Sequence, residues 1–118
     1  MAAKETSFRR WFHNGSTVSV KAENGTIEIR YDIPRTGMRM VGAKKSDLLF
    51  LGRTDENRIW GTAFIFNKAC GPHPYKVDGN IDEGAGIIII SGEAPILSSR
   101  CDTLKSRKDK LEFIRTDK

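Results

Sequence analysis

The chain has 118 residues, 38% of them hydrophobic and 30% charged, enough for one buried core and too apolar for intrinsic disorder. Its longest uninterrupted apolar runs, Ile87–Ile90 among them, are four residues long, which excludes a membrane-spanning helix. Twenty basic against fifteen acidic residues give +5 and a pI near 9.4, a balance that permits anionic partners without requiring them.

Read in chain order, residues 1–10 are polar and carry both charges. They are expected to form a flexible N-terminal segment ahead of one domain over residues 11–116. They lack the apolar stretch of a signal peptide, which fits a cytosolic protein or a mature chain whose leader has been removed. Phe8–Asn14 holds Trp11 and Phe12 and reads as a short first strand or an aromatic plug. The clearest element follows: Thr17–Ala22, the dipeptide Asn24-Gly25, then Thr26–Ile33. Asn-Gly between alternating runs is a strong hairpin signal, because a type I′ turn needs positive φ at both central residues. That turn pairs Ala22 with Ile27, Lys21 with Glu28, Val20 with Ile29 and Val18 with Tyr31. A slip of one residue would set Val20 against a charge.

Pro34 ends that strand, and Pro34–Asp47 is expected to be a loop or a single helical turn. Leu48–Arg53 and Arg58–Asn67 read as a second hairpin. Both faces of the latter are apolar, so Phe64 is expected in the core together with Ile88 or Ile89. Lys68–Pro74 reads as a loop, Tyr75–Ile81 as a strand, and Gly86–Ala94 as a buried strand that Pro95 interrupts or ends. Ser98–Asp109 reads as a basic connection, and Lys110–Arg115 as the last strand. Consecutive antiparallel strands make a meander, and about seven or eight of them avoid exposed edges by curling into a small closed or partly open barrel. The expected fold is therefore all-β.

Basic residues crowd two segments. Arg35, Arg39, Lys44 and Lys45 lie in the first, and Arg107 and Lys108 lie with Arg100, Lys105 and Lys110 in the second. The six residues Arg35, Arg39, Lys44, Lys45, Arg107 and Lys108 are candidates for holding an anion or a partner, and solvated lysine-rich loops are the plainer alternative. The two cysteines, Cys70 and Cys101, fall in connecting segments and not in apolar runs. That placement favours a disulfide, and with it a periplasmic or secreted location, over two unrelated thiols in a cytosolic protein. Closing such a loop would stabilise the fold by roughly 3–4 kcal/mol.

Catalytic and metal chemistry find little support. Cys70, His73, Cys101 and His13 lack the two tight pairs of a structural zinc site. Pro72 and Pro74 stiffen the segment that would have to bring Cys70 and His73 together as a nucleophile pair. The acidic residues sit mostly at turns. No cofactor is expected. Trp60, Phe64 and Phe66 could stack bases in a single-strand binding barrel, but core packing is the more natural use of an all-apolar strand.

Trp11-Phe-His-Asn-Gly-Ser16, Leu49-Phe-Leu-Gly52, Gly61-Thr-Ala-Phe64, Cys70-Gly-Pro with Tyr75, and Gly92-Glu-Ala-Pro95 with Cys101 together resemble a small domain of exported alphaproteobacterial proteins. They are also similar to the region that follows caspase-like peptidase domains in some of them. The resemblance spans about Trp11–Phe113 and implies an extracytoplasmic β domain with a Cys70–Cys101 bridge. It implies no peptidase activity here, because the caspase-type His and Cys motifs are missing. The expected function is a non-enzymatic binding or accessory domain for an unknown protein or small molecule. Its site would lie between Pro34–Asp47 and Ser98–Asp109. A cytoplasmic single-stranded nucleic-acid binder using the same basic residues is the alternative.

Overall fold

The computed structural model describes residues 10–115. Most of the N-terminal segment expected to be flexible, with Phe8, and the domain's expected last residue lie outside them. Eight strands close into one antiparallel barrel in meander order. They are β1 (Arg10–His13), β2 (Ser16–Glu23), β3 (Thr26–Ile33), β4 (Leu48–Asp55), β5 (Arg58–Asn67), β6 (Gly71–Asp82), β7 (Ile87–Leu97) and β8 (Thr103–Arg115). A single helical turn, α1 (Thr36–Met40), lies between β3 and β4. No helix among the described residues is long and apolar enough to cross a membrane.

The β2–β3 hairpin has the register that its alternation dictates, from Glu23↔Thr26 to Val18↔Tyr31. Asn24 and Gly25 both take positive φ, 54° and 80°, as a type I′ turn requires. Asn14-Gly15 repeats the geometry between β1 and β2. Inward positions of successive strands stack into one core, with Ile27, Ile29, Phe50, Ile88, Ile90 and Phe113 fully buried. Each such side chain stabilises the fold by about 1.5–3 kcal/mol through burial alone.

Phe64 departs from expectation. Ile59 and Ala63 are the buried residues of β5, whereas Trp60 is 40% exposed and Phe64 only half-buried on the outer face. A small barrel has little interior volume, so the face with Gly61 and Ala63 turns inward and the bulky face outward. Ile88 is buried as expected and Ile89 is exposed. Gly61 pairs with Gly52 of β4, and a Cβ on either would run into the other strand's backbone. Gly92 has the same constraint against the Lys76 carbonyl. These glycines let the sheet bend sharply where the barrel needs a corner.

The β6–β7 ladder stops at Val77↔Gly92, although both strands continue. Extending its register would set Pro74 opposite Pro95. The Ile81 amide bonds back to Asn57, so odd residues of β6 point their backbone groups to β5 and even ones to β7. Pro72 and Pro74 therefore lack the very N–H groups that would reach β7, while β5–β6 pairing survives intact to Asn67↔Gly71. The sheet thus has a seam, flanked by two paired arms, β5–β6 and β7–β8. Their tips are joined by the Cys70–Cys101 disulfide.

Three boundaries need correction. Of the two roles expected of Pro95, it does not end β7, which runs on to Leu97, but lies where pairing with β6 is already lost, its missing N–H facing the seam. Beyond Asp102 the basic segment is not a connection but the first half of β8, paired with β7 as far as Leu97↔Thr103. Most residues of Thr103–Lys110 are exposed, so they show no apolar alternation. Likewise β6 begins at Gly71, inside the expected loop.

Candidate functional site

The barrel has two ends. The disulfide end carries α1, the β1–β2 turn and the arm tips. The hairpin end carries the turns at Asn24-Gly25, Glu56-Asn57 and Glu83–Gly86.

At the disulfide end, Met38 of α1 packs with Ile65 and Phe66 against the core, and Phe66 meets Tyr31 edge-on at 5.7 Å between ring centres. Of the basic residues of Pro34–Asp47, Arg39 and Lys45 are engaged through their side chains, and Arg35 and Lys44 through their backbone amides. The Arg39 guanidinium donates to the Pro34 carbonyl at 2.7 Å and to Thr36 Oγ1 at 3.1 Å. Lys45 pairs with Asp32 at 3.6 Å. The Arg35 amide donates to buried Ser16 Oγ, and the Lys44 amide donates to Asp47. Arg107 reaches its strand neighbour Asp109 at 3.9 Å, and Lys108 is exposed opposite Glu93 on β7. The six candidates thus divide between the α1 segment and β8 instead of converging on one point.

Sequence reading did not find the polar group just inside this end. Tyr75 donates to Asp109 Oδ2 at 2.9 Å, spanning from β6 to β8. His13 Nδ1 lies 2.9 Å from the Glu112 carbonyl, and its ring stacks on Phe113 at 4.6 Å. A carbonyl only accepts, so the proton sits on Nδ1. Burial pushes His13 below its usual 6.5, against the raising effects of that hydrogen bond and of Asp109, and Arg35 adds to the lowering. Burial likewise pushes Tyr31 up to about 12 and raises Tyr75, with the Asp109 hydrogen bond adding to it. Both tyrosines therefore hold their protons more tightly, whereas His13 gives up its charge more readily. Among the described residues no group of three or more His, Cys, Asp or Glu could hold a metal ion.

The hairpin end opens into a cavity of about 370 Å³ lined by Trp11, Val20, Ile27 and Ile81, with Glu83 and Arg115 at its rim. Arg115 lies over the Trp11 ring at 5.9 Å and donates to the Glu83 carbonyl at 2.7 Å. Its walls are apolar, with few groups to orient a ligand.

A larger cleft, about 640 Å³, lies on the outer surface where β6 and β7 begin to part. Gly61, Val77 and Gly92 form its floor, with no side chain above the backbone at two of the three. Trp60 and Thr62 stand on one side, Ser91 and Glu93 on the other, with Lys76 and Asp78 between them. Trp60 is directly paired with Asp78, and Asp78 with Ser91, so indole, carboxylate and hydroxyl form one row across three strands. Thr62, Lys76, Asp78 and Ser91 make no hydrogen bond or ion pair through their side chains, whereas Glu93 accepts from Ser106 at 3.3 Å. The arrangement offers an aromatic face beside several unspent donors and acceptors. The signal in the sequence was the bulky face of β5, had it been turned outward.

No protein-family model, characterised protein or solved structure matches this chain.

Proposed function

We propose that the protein is a non-enzymatic binding module that works outside the cytoplasm, in the periplasm or as a secreted domain. Its ligand site is the outer cleft around Trp60. The carrying observation is the row Trp60–Asp78–Ser91 over a glycine floor. A flat indole presents an apolar face with a polar rim. The neighbouring carboxylate, hydroxyls and ammonium are free to bond a ligand that brings its own hydroxyls. A sugar ring has both features, with C–H groups on one face and hydroxyls around its edge, so a glycan unit is the ligand class that fits. The disulfide supports the extracytoplasmic location, because such bonds persist in oxidising compartments. The resemblance to exported alphaproteobacterial domains points the same way.

Titrating soluble cello- and chito-oligosaccharides while following tryptophan fluorescence tests the site. Trp11 is buried, so a ligand-dependent change should come from Trp60 and vanish in Trp60→Ala. No response to either series at millimolar concentration, or a response retained in Trp60→Ala, would overturn this reading.

Single-stranded nucleic acid is the second reading, favoured by Trp60 and Phe64 sharing the outer face of β5. Against it, Asp78 beside the indole and Glu93 on the far side of the cleft would repel phosphates. Binding that weakens steeply with salt, and is lost when Lys44 and Lys45 are both neutralised, would promote it.

A further inference from the structure

The rim of the barrel is incomplete along β8. Strand β1 covers it only at Trp11↔Arg115 and Phe12↔Ile114, and then turns away at Asn14-Gly15. The Arg115 amide bonds to Gly86 on the β7 side, so odd residues of β8 spend their backbone groups on β7. The even residues face the other way, as the Glu112 carbonyl does in accepting from His13. Beyond Glu112 no strand among the described residues meets this side of β8, and Lys110, Lys108, Ser106 and Leu104 present their N–H and C=O groups to solvent. Such an edge is a template for another strand.

Charge decides which strand. Lys105, Arg107, Lys108 and Lys110 lie along this edge. Asp109 is held by Tyr75 and Arg107, and Glu112 by Lys110, which leaves Lys105 outside any ion pair and Lys108 facing only Glu93, whose carboxylate accepts from Ser106. A second copy of this chain would bring β8 against β8 and stack lysines on lysines, an arrangement that opposes self-pairing. We propose that the β8 edge from Leu104 to Lys110 accepts an extended acidic segment of another protein as a ninth strand, with glutamate or aspartate opposite Lys108 and Lys110. Backbone hydrogen bonds supply affinity, and the lysines supply selectivity for the acidic partner. This edge is separate from the Trp60 cleft and does not depend on it.

The probe is a synthetic ten-residue peptide alternating glutamate and valine, followed by calorimetry or fluorescence anisotropy with the full chain. It should bind, and a lysine–valine peptide should not. N-methylation of the amides on one edge of the peptide should abolish binding while methylation on the other edge leaves it intact, which separates strand addition from simple charge attraction. Lys108→Glu with Lys110→Glu should weaken binding at least about tenfold. Ser106→Pro should abolish it without unfolding the barrel, because the Ser106 amide points away from β7. Equal binding of both methylated peptides, or unchanged affinity in the double charge reversal, would overturn the proposal, as would a stable dimer of this chain broken by Ser106→Pro.

Discussion

Replacing both cysteines by serine removes the only covalent bond across the seam. Cys70 and Cys101 are separated by 31 residues, and for a loop of that size the chain-entropy relation gives about 3.7 kcal/mol at 25 °C. Most of the enclosed chain is the β6–β7 pair, whose ladder from Asp82↔Ile87 to Val77↔Gly92 does not need the bridge. The loss should therefore come from a freer unfolded chain, with a smaller local part from the arm tips. Urea unfolding of the wild type and of Cys70→Ser/Cys101→Ser should show a deficit of about 3–4 kcal/mol. The m-value should be larger in the variant, since its denatured state is more expanded. Amide exchange should accelerate at Gly71–Tyr75 and Ile96–Leu97 and remain slow at Ile88 and Ile90. A deficit below about 1 kcal/mol with an unchanged m-value would refute the account.

Phe113→Ala should cost about 3–5 kcal/mol, because Phe113 is fully buried and supports the His13 ring. Phe64→Ala should cost only about 1–2 kcal/mol, given its half-exposed place on the outer face; equal losses by denaturant unfolding would mean that the wrong face of β5 points inward. Stability should also peak between two titration limbs. Tyr31 keeps its proton up to about 12 in the fold but only to about 10 when unfolded, so stability is complete below pH 10 and falls as pH rises toward 12. His13 is depressed below 6.5, so its contribution is complete above that value and declines as pH drops beneath it. His13→Gln should flatten this acid limb, and a limb unchanged in that variant would assign it to the carboxylates.

What the sequence disclosed depended on whether an element faces both core and water. The β2–β3 hairpin does, so its alternation and turn chemistry specified every rung from Glu23↔Thr26 to Val18↔Tyr31, and only the bulge that sets Thr17 against Ile33 escaped them. Strand β5 does not. With apolar residues on both faces, nothing in Trp60–Phe66 says which side points inward until the volume of a closed barrel is considered, and then the glycine–alanine side must. The first half of β8 fails for the opposite reason. Its arm stands in solvent on both faces, so Lys105–Lys110 look like a loop although every residue is paired. The Trp60 cleft was invisible for the same reason as Phe64, because an outward indole cannot be told from an inward one. The seam was legible in principle: Pro74 and Pro95 lie at equal distances from the turn that joins their strands, which marks a ladder that cannot continue.

The meander order has a consequence for how the chain reaches this state. Seven of the eight ladders join strands that follow one another along the chain, so they can zip outward from their own turns without waiting for distant partners. Only β1 and β8 must find each other from opposite ends, and they do so through two rungs, Trp11↔Arg115 and Phe12↔Ile114. Bringing together residues about a hundred positions apart in an unstructured chain costs about 4 kcal/mol in closure entropy, too much for two rungs to offset at the outset. Closure must therefore come late, after curvature has carried the first and last strands side by side. An intermediate still open between β1 and β8 is the species in which Trp11 would be accessible to solvent and the barrel would have two vulnerable edges instead of a ring.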